Sequence, residues 1–183
     1  MKKKLLFLIS VVIILAFAIS GTLAYFTDEL VVQNVITTGN VELHMALEGG
    51  NDAIPVMPGT KVTRPLEITA GLGTAQAYVR VKYDVTILDA EGELMPHTPE
   101  EAAQVVLIAE DTENWTEKDG WWYYNGEIAN GQTTRPLYRE IAFSGEHMDN
   151  DYQGCTVLVS VTAQGVQKAN NGSSALEADG WPQ

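Results

Sequence analysis

The feature that most constrains this chain is a hydrophobic period of two. Ala77, Val79, Val81, Tyr83, Val85 and Ile87 alternate with Tyr78, Arg80, Lys82, Asp84 and Thr86. Successive side chains of a strand leave opposite faces, so this order describes a strand with one apolar face and one wet face. A helix would need a period of about 3.6. Val157, Val159, Val161 and Ala163 repeat the pattern against Thr156, Ser160, Thr162 and Gln164. Val62, Leu66 and Ile68 follow it more weakly, and Pro65 suggests an edge position because proline donates no ladder hydrogen bond. Upstream, 29–36 and 41–47 flank Thr37-Thr38-Gly39-Asn40, which reads as a turn between strands.

Turn signals recur at Pro58-Gly59, Gly71-Leu72-Gly73, Glu91-Gly92, Asn125-Gly126 and Asn130-Gly131. Only one segment invites a helix. Thr98 suits an N-cap, Pro99 the first helical position, and Glu100 and Glu101 the positive end of the dipole. A strand resumes at Val105–Ile108. Short strands separated by turns define an all-β fold, an antiparallel β-sandwich with one short helix, and the pattern alone does not choose the strand order. The polar, small-residue stretch 170–183 is expected to be a loose tail, which leaves 25–169 as the β-sandwich domain.

Ahead of that domain, Lys2, Lys3 and Lys4 precede an apolar run from Leu5 to Ile19 and the small residues Ser20 and Gly21. This is the order of a secretory signal peptide, and Thr22-Leu23-Ala24 supplies small residues for cleavage between Ala24 and Tyr25. An uncleaved membrane anchor is the rival, since 5–24 is just long enough to span a bilayer. Residues 1–24 carry three lysines and no acids, so their removal takes the formal charge from −13 to −16. So acidic a surface repels nucleic acid and anionic lipid. Cys155 is the only cysteine and opens an apolar run, where a small buried hydrophobe is expected.

The stretch Thr22-Leu23-Ala24-Tyr25-Phe26-Thr27-Asp28, followed by Asn34-Val35-Ile36-Thr37-Thr38-Gly39-Asn40-Val41-Glu42, resembles the export and start-of-domain signature of the TasA/camelysin family. The likeness recurs at Asp119-Gly120-Trp121-Trp122-Tyr123-Tyr124, at Gly131-Gln132-Thr133-Thr134-Arg135-Pro136-Leu137, and from Val161 to Asn170. The resemblance implies a jelly-roll sandwich. It also implies export from a Gram-positive bacterium through a SipW-type signal peptidase, and assembly into biofilm-matrix fibres by a strand passed between subunits. It further carries the camelysin description as a metallopeptidase.

The residues themselves offer little catalysis. No HExxH, GxSxG, CxxC or P-loop occurs, and Gly71-Leu72-Gly73 lacks the third glycine of a dinucleotide fingerprint. His44, His97 and His147 are scattered rather than spaced as ligands on one face. Asp149, Asp151, Gln153 and Gly154 match the opening of an EF-hand loop, yet the final glutamate position is Ser160, so a polar turn into the last strand is the better reading. No catalytic residue, metal site or cofactor is assigned.

Two regions remain as candidates for interaction. Trp121 and Trp122 are consecutive, so a strand must send them to opposite faces; one should be exposed or covered by a partner. After cleavage, 25–36 is a free, β-prone arm, with Phe26, Leu30, Val32 and Ile36 as its apolar positions. Such an arm gains by pairing with its own domain or with the next subunit, and the second case propagates head to tail. The chain is therefore expected to be an exported matrix or cell-surface fibre subunit, not an enzyme. Its expected partners are copies of itself, other matrix or surface proteins, and a signal peptidase during export. It would meet the membrane only through the uncleaved signal segment. A secreted camelysin-like metallopeptidase and a secreted carbohydrate- or protein-binding module are the alternatives.

Overall fold

The computed structural model describes residues 33–37, 41–47 and 54–182. Eleven strands and one short helix are built from them: β1 (Gln33–Thr37), β2 (Leu43–Leu47), β3 (Ile54–Pro55), β4 (Lys61–Thr63), β5 (Leu66–Ala70), β6 (Ala77–Leu88), α1 (Pro99–Val105), β7 (Val106–Ile108), β8 (Trp115–Lys118), β9 (Trp121–Tyr124), β10 (Glu140–Phe143) and β11 (Thr156–Gln167). The fold is all-β, with its strands paired in antiparallel sheets except where noted below.

The largest sheet has the order β1-β11-β6-β9-β8, with β3 also pairing β11. Its spine is the pair of long strands that the alternating patterns describe. β6 and β11 run antiparallel over their full lengths, from Ala77 opposite Gln167 to Leu88 opposite Thr156. Two smaller sheets, β4-β10-β7 and β2-β5, supply further strands to the same core. Leu66, Ile68, Val79, Val81, Ile87, Trp115, Ile141, Val157 and Val161 are all buried in one apolar cluster. Trp115 fits there because its indole N–H donates to the Arg135 carbonyl at 3.0 Å. Gly165 of β11 allows a close approach, since a Cβ there would lie 2.8 Å from Leu43 and 3.0 Å from Val41.

The helix forms as its sequence suggests. The Thr98 hydroxyl accepts from the Glu101 N–H at 3.3 Å, and the Glu101 carboxylate accepts from the Thr98 N–H at 2.8 Å, closing a capping box. Hydrogen bonding to Thr98 holds the Glu101 carboxyl below its ordinary range.

Two expectations change. Pro65 is not an edge residue within one strand: it separates β4 from β5, which belong to different sheets. Strands do flank the expected turn at 37–40, of which 38–40 lie outside the described residues; β1 pairs with β11 and β2 with β5. The stretch after 170 is not a loose tail. The Asn171 side chain bonds the carbonyls of Gln167 and Asp179 and the N–H groups of Gly172 and Asp179, at 2.8 to 3.1 Å. Ala175 and Ala178 are buried against Tyr78, Tyr123 and Val166 on the outer face of the large sheet. Polar composition misleads here because one asparagine satisfies the backbone of the fold-back while two alanines and a tryptophan supply its apolar contacts.

Candidate functional site

The Ala24/Tyr25 junction and Phe26, Leu30 and Val32 lie outside the described residues. Ile36 falls in β1, opposite Gln164. β1 runs parallel to β11, with Gln33 opposite Val161 and Thr37 opposite Gly165, on the edge away from β6. Further along the same edge, β3 pairs antiparallel, with Ile54 opposite Val157 and Pro55 opposite Thr156. Three positions of β11, 158 to 160, separate the two short strands. β3 thus occupies this edge upstream of β1.

The two tryptophans part as strand geometry requires. Trp122 and Tyr124 pack on the main core, and the Tyr124 ring lies 5.1 Å from that of Trp115. Trp121 and Tyr123 face the other way, into the smaller cluster under the C-terminal segment. There the Arg80 guanidinium sits 4.2 Å from the Trp121 ring centre and 4.7 Å from that of Trp181. Its nitrogens donate to the Gln164 side-chain amide oxygen at 2.8 Å, the Tyr123 hydroxyl at 3.1 Å and the Pro182 backbone carbonyl at 3.3 Å. The Tyr78 hydroxyl donates to the Gly172 carbonyl at 2.9 Å. Trp121, expected as a partner surface, is thus covered by the chain's own end. The sequence signals are Arg80 on a strand with apolar neighbours and Trp181 in a polar tail; neither reveals the pairing, since the two stand 101 positions apart.

A cleft of about 580 Å³ opens between the second half of β6 and β7, a size within the range of ligand clefts. Five consecutive residues of β6 line it, Tyr83 to Ile87, with Val106, Leu107 and Ile108 of β7 opposite. Both walls are strand edges. Ala77 exchanges backbone hydrogen bonds with Ile128, and the Ile87 carbonyl accepts from the Met95 N–H. Alternation therefore turns the backbone groups of every odd-numbered β6 residue away from β11. β9 pairs with β6 only at Arg80 and Val81, so Tyr83 and Val85 aim N–H and C=O groups into the cleft. On the other wall, Phe143 exchanges bonds with Thr60 and Gly59, which turns Ala142 and Leu107 toward each other. Val106 and Ile108 then face the cleft, and the Val106 N–H is already used by the Ala102 carbonyl.

Tyr83 and Val85 are only half-buried where the alternating pattern implies core positions, because among the described residues no strand pairs with β6 beside them. Leu94 and Leu107, 67% and 46% exposed, also line the opening. The Tyr83 hydroxyl donates to the Glu110 carboxylate, and burial, followed by that bond and charge, pushes the phenol pKa up. The neighbouring Tyr138 ring meets Tyr83 edge to face at 5.6 Å, and its hydroxyl is buried with no hydrogen-bond partner among the described residues.

Among the described residues no group of three His, Cys, Asp or Glu side chains is arranged to hold a metal. His44 pairs with Glu42 at 3.2 Å on β2, His147 Nδ1 lies 3.1 Å from the Ser144 hydroxyl, and His97 lines the cleft. Asp149 caps a short 3-10 turn, Asn150–Tyr152, by accepting from the Asp151 N–H at 3.0 Å. Cys155 is buried, within 3.3 Å of the Met95 sulfur, and burial pushes its thiol pKa up. Among the described residues no helix is long and apolar enough to cross a membrane. No family model, curated protein or solved structure matches the chain.

Proposed function

We propose that this protein is an exported matrix or cell-surface structural subunit that assembles head to tail into fibres through the chain preceding β1. The observation that carries this reading is the register on β11. β1 is a five-residue strand, the first among the described residues, on an outer edge, and β3 blocks that edge just upstream of it. A β-prone segment freed by cleavage after Ala24 then has its lowest-cost partner in another copy, because ordering it alone gains nothing. The signal-peptide order of residues 1–24 and the likeness to the TasA/camelysin family support the same reading. Signal peptidase would be a transient partner, and other matrix or surface proteins would be further ones.

The test is electron microscopy of secreted protein whose N-terminus has been sequenced. A start at Tyr25 and filaments that disappear when 25–29 is deleted would support the proposal. A start at Met1, or filaments that survive the deletion, would remove it.

A further inference from the structure

We infer that Asn171-Gly172 is a self-modifying site: the native fold-back aligns it for deamidation, and conversion of Asn171 to aspartate or isoaspartate unlatches the C-terminal segment from the outer face of the large sheet.

The chain holds three Asn-Gly pairs, at 125–126, 130–131 and 171–172. Glycine carries no side chain to crowd its own backbone nitrogen, so in each pair that nitrogen can attack the preceding asparagine side chain. Their surroundings differ. The Asn125 Oδ1 accepts from the Thr116 hydroxyl at 2.7 Å, and the Asn130 Oδ1 from the Gly73 N–H at 3.0 Å. The Asn171 Oδ1 instead accepts from the N–H of its own neighbour, Gly172, at 2.9 Å and from the Asp179 N–H at 2.8 Å. Because Oδ1 is bonded to Cγ, the first contact sets the nucleophile beside the carbon it must reach. The second places a donor where negative charge grows during the attack. Both sides of the pair are pinned. The Asn171 N–H donates to the Lys168 carbonyl at 2.9 Å, and the Gly172 carbonyl accepts from the Tyr78 hydroxyl at 2.9 Å.

In the reaction the Gly172 nitrogen gives its proton to solvent and bonds to Cγ. The Cγ–Nδ2 bond then breaks, and Nδ2 takes up a proton and leaves as ammonia. Water opens the resulting succinimide at one of its two carbonyls, giving aspartate or isoaspartate. The only reagent consumed is water.

Either product undoes the latch. The Asn171 Nδ2 donates to the carbonyls of Gln167 and Asp179, both at 3.1 Å. An aspartate oxygen in its place is an acceptor facing two acceptors, and it adds charge to a segment that already carries Glu177 and Asp179. Isoaspartate adds a methylene to the main chain ahead of Gly172, where a Cβ would already lie 2.5 Å from the Glu177 carbonyl oxygen. Release of the segment uncovers Tyr78, Tyr123 and the Arg80 guanidinium. An aged molecule therefore presents an aromatic and cationic face that a new one keeps shut.

The experiment holds purified protein folded at mildly alkaline pH, with a parallel sample in urea, and follows all three pairs by peptide mapping and mass spectrometry. Asn171 should convert several-fold faster than Asn125 and Asn130 in the folded sample, and the three rates should draw together in urea. Conversion of Asn171 no faster than the other two in the folded protein overturns the inference. So does the same ranking in urea, which would assign the difference to sequence alone. Unlatching is read by hydrogen exchange on the aged fraction, separated by its extra charge, and on Asn171→Asp. Protection after residue 170 should be lost in both while β6 and β11 keep theirs. Full protection in the aged fraction overturns the latch, whether or not Asn171→Asp folds.

Discussion

The two halves of β6 have the same alternating sequence and different surroundings. In the first half, from Ala77 to Val81, the strand is paired on both edges, by β11 and by β9 with the Ile128 bridge, and covered on both faces. Val79 and Val81 are fully buried on the inner face, and Tyr78 is buried on the outer face by the C-terminal segment. From Lys82 to Thr86 only the β11 edge is paired among the described residues, and Tyr83 and Val85 are half-buried beside an open cleft. The hydrophobic pattern sets which face of a strand is apolar. Whether that face and its edge are closed depends on elements far away in sequence.

The largest effect should come from placing a charge in each half. Val81→Asp buries an unpaired carboxylate among residues with no exposure, a change that belongs to the severe tail of single substitutions, about 4 kcal/mol. Val85→Asp keeps access to water through the cleft and should cost about 1 kcal/mol. Urea unfolding of both variants measures the difference. Equal losses would mean that the second half is closed as well, and the contrast would fail.

The next effect concerns what closes the first half. Trp181→Ala removes one of the three rings around the Arg80 guanidinium and an edge-to-face contact with Tyr123 at 5.7 Å. Cation–π and aromatic contributions of this kind sum to about 2 kcal/mol when partly desolvated. The expected readout is loss of hydrogen-exchange protection after residue 170, with a red shift in the emission of Trp121. Unchanged protection would show that Asn171 alone secures the segment.

How much of this was legible in the sequence differs between the halves in the same way. The strands β6 and β11, the helix cap at Thr98 and the opposed directions of Trp121 and Trp122 follow from local periodicity and local hydrogen bonding, which act within a few residues. Composition misleads for the fold-back of 170–182, because a polar stretch is loose only if its backbone lacks partners, and Asn171 provides them. The cleft was invisible for another reason. Val85 looks like any core valine in the alternating pattern, and no local signal says that β9 stops pairing at Val81. Parallel pairing of β1 with β11 likewise depends on contacts across more than 100 residues of chain.

A smaller effect tests the wall of the open half. Thr98→Ala removes the acceptor for the Glu101 N–H at the start of α1, whose Ala102 and Ala103 line the cleft. Loss of such a cap costs about 1 kcal/mol. Exchange should quicken in α1 and β7, while the protection of 77–81 should not change. Equal acceleration in both halves of β6 would show that they open as one unit, which removes the distinction between them.

The smallest effect is a pH dependence confined to the open side. Asp111, in the turn that follows Glu110, accepts from the Asn114 side-chain amide at 2.8 Å and from the N–H groups of Glu113 and Asn114 at 3.1 Å. The Asn114 side-chain amide, ahead of the backbone bonds, holds the Asp111 carboxyl below its ordinary range. A carboxyl whose pKa is lowered on folding stabilises the folded state above its unfolded pKa, and that contribution is lost as pH falls through the lower, folded value. Asn114→Ala removes the main cause of the shift. The variant should therefore be less stable than wild type at neutral pH, and the two urea midpoints should converge as the pH falls through the lowered pKa of Asp111 in the folded state, below which the carboxyl is protonated in both. The Arg80 clasp of the closed half has no carboxylate among its partners, so the deficit of Trp181→Ala should stay level over the same range. A gap between wild type and Asn114→Ala that widens in acid would reverse the sign and assign Asn114 a role other than holding this carboxylate.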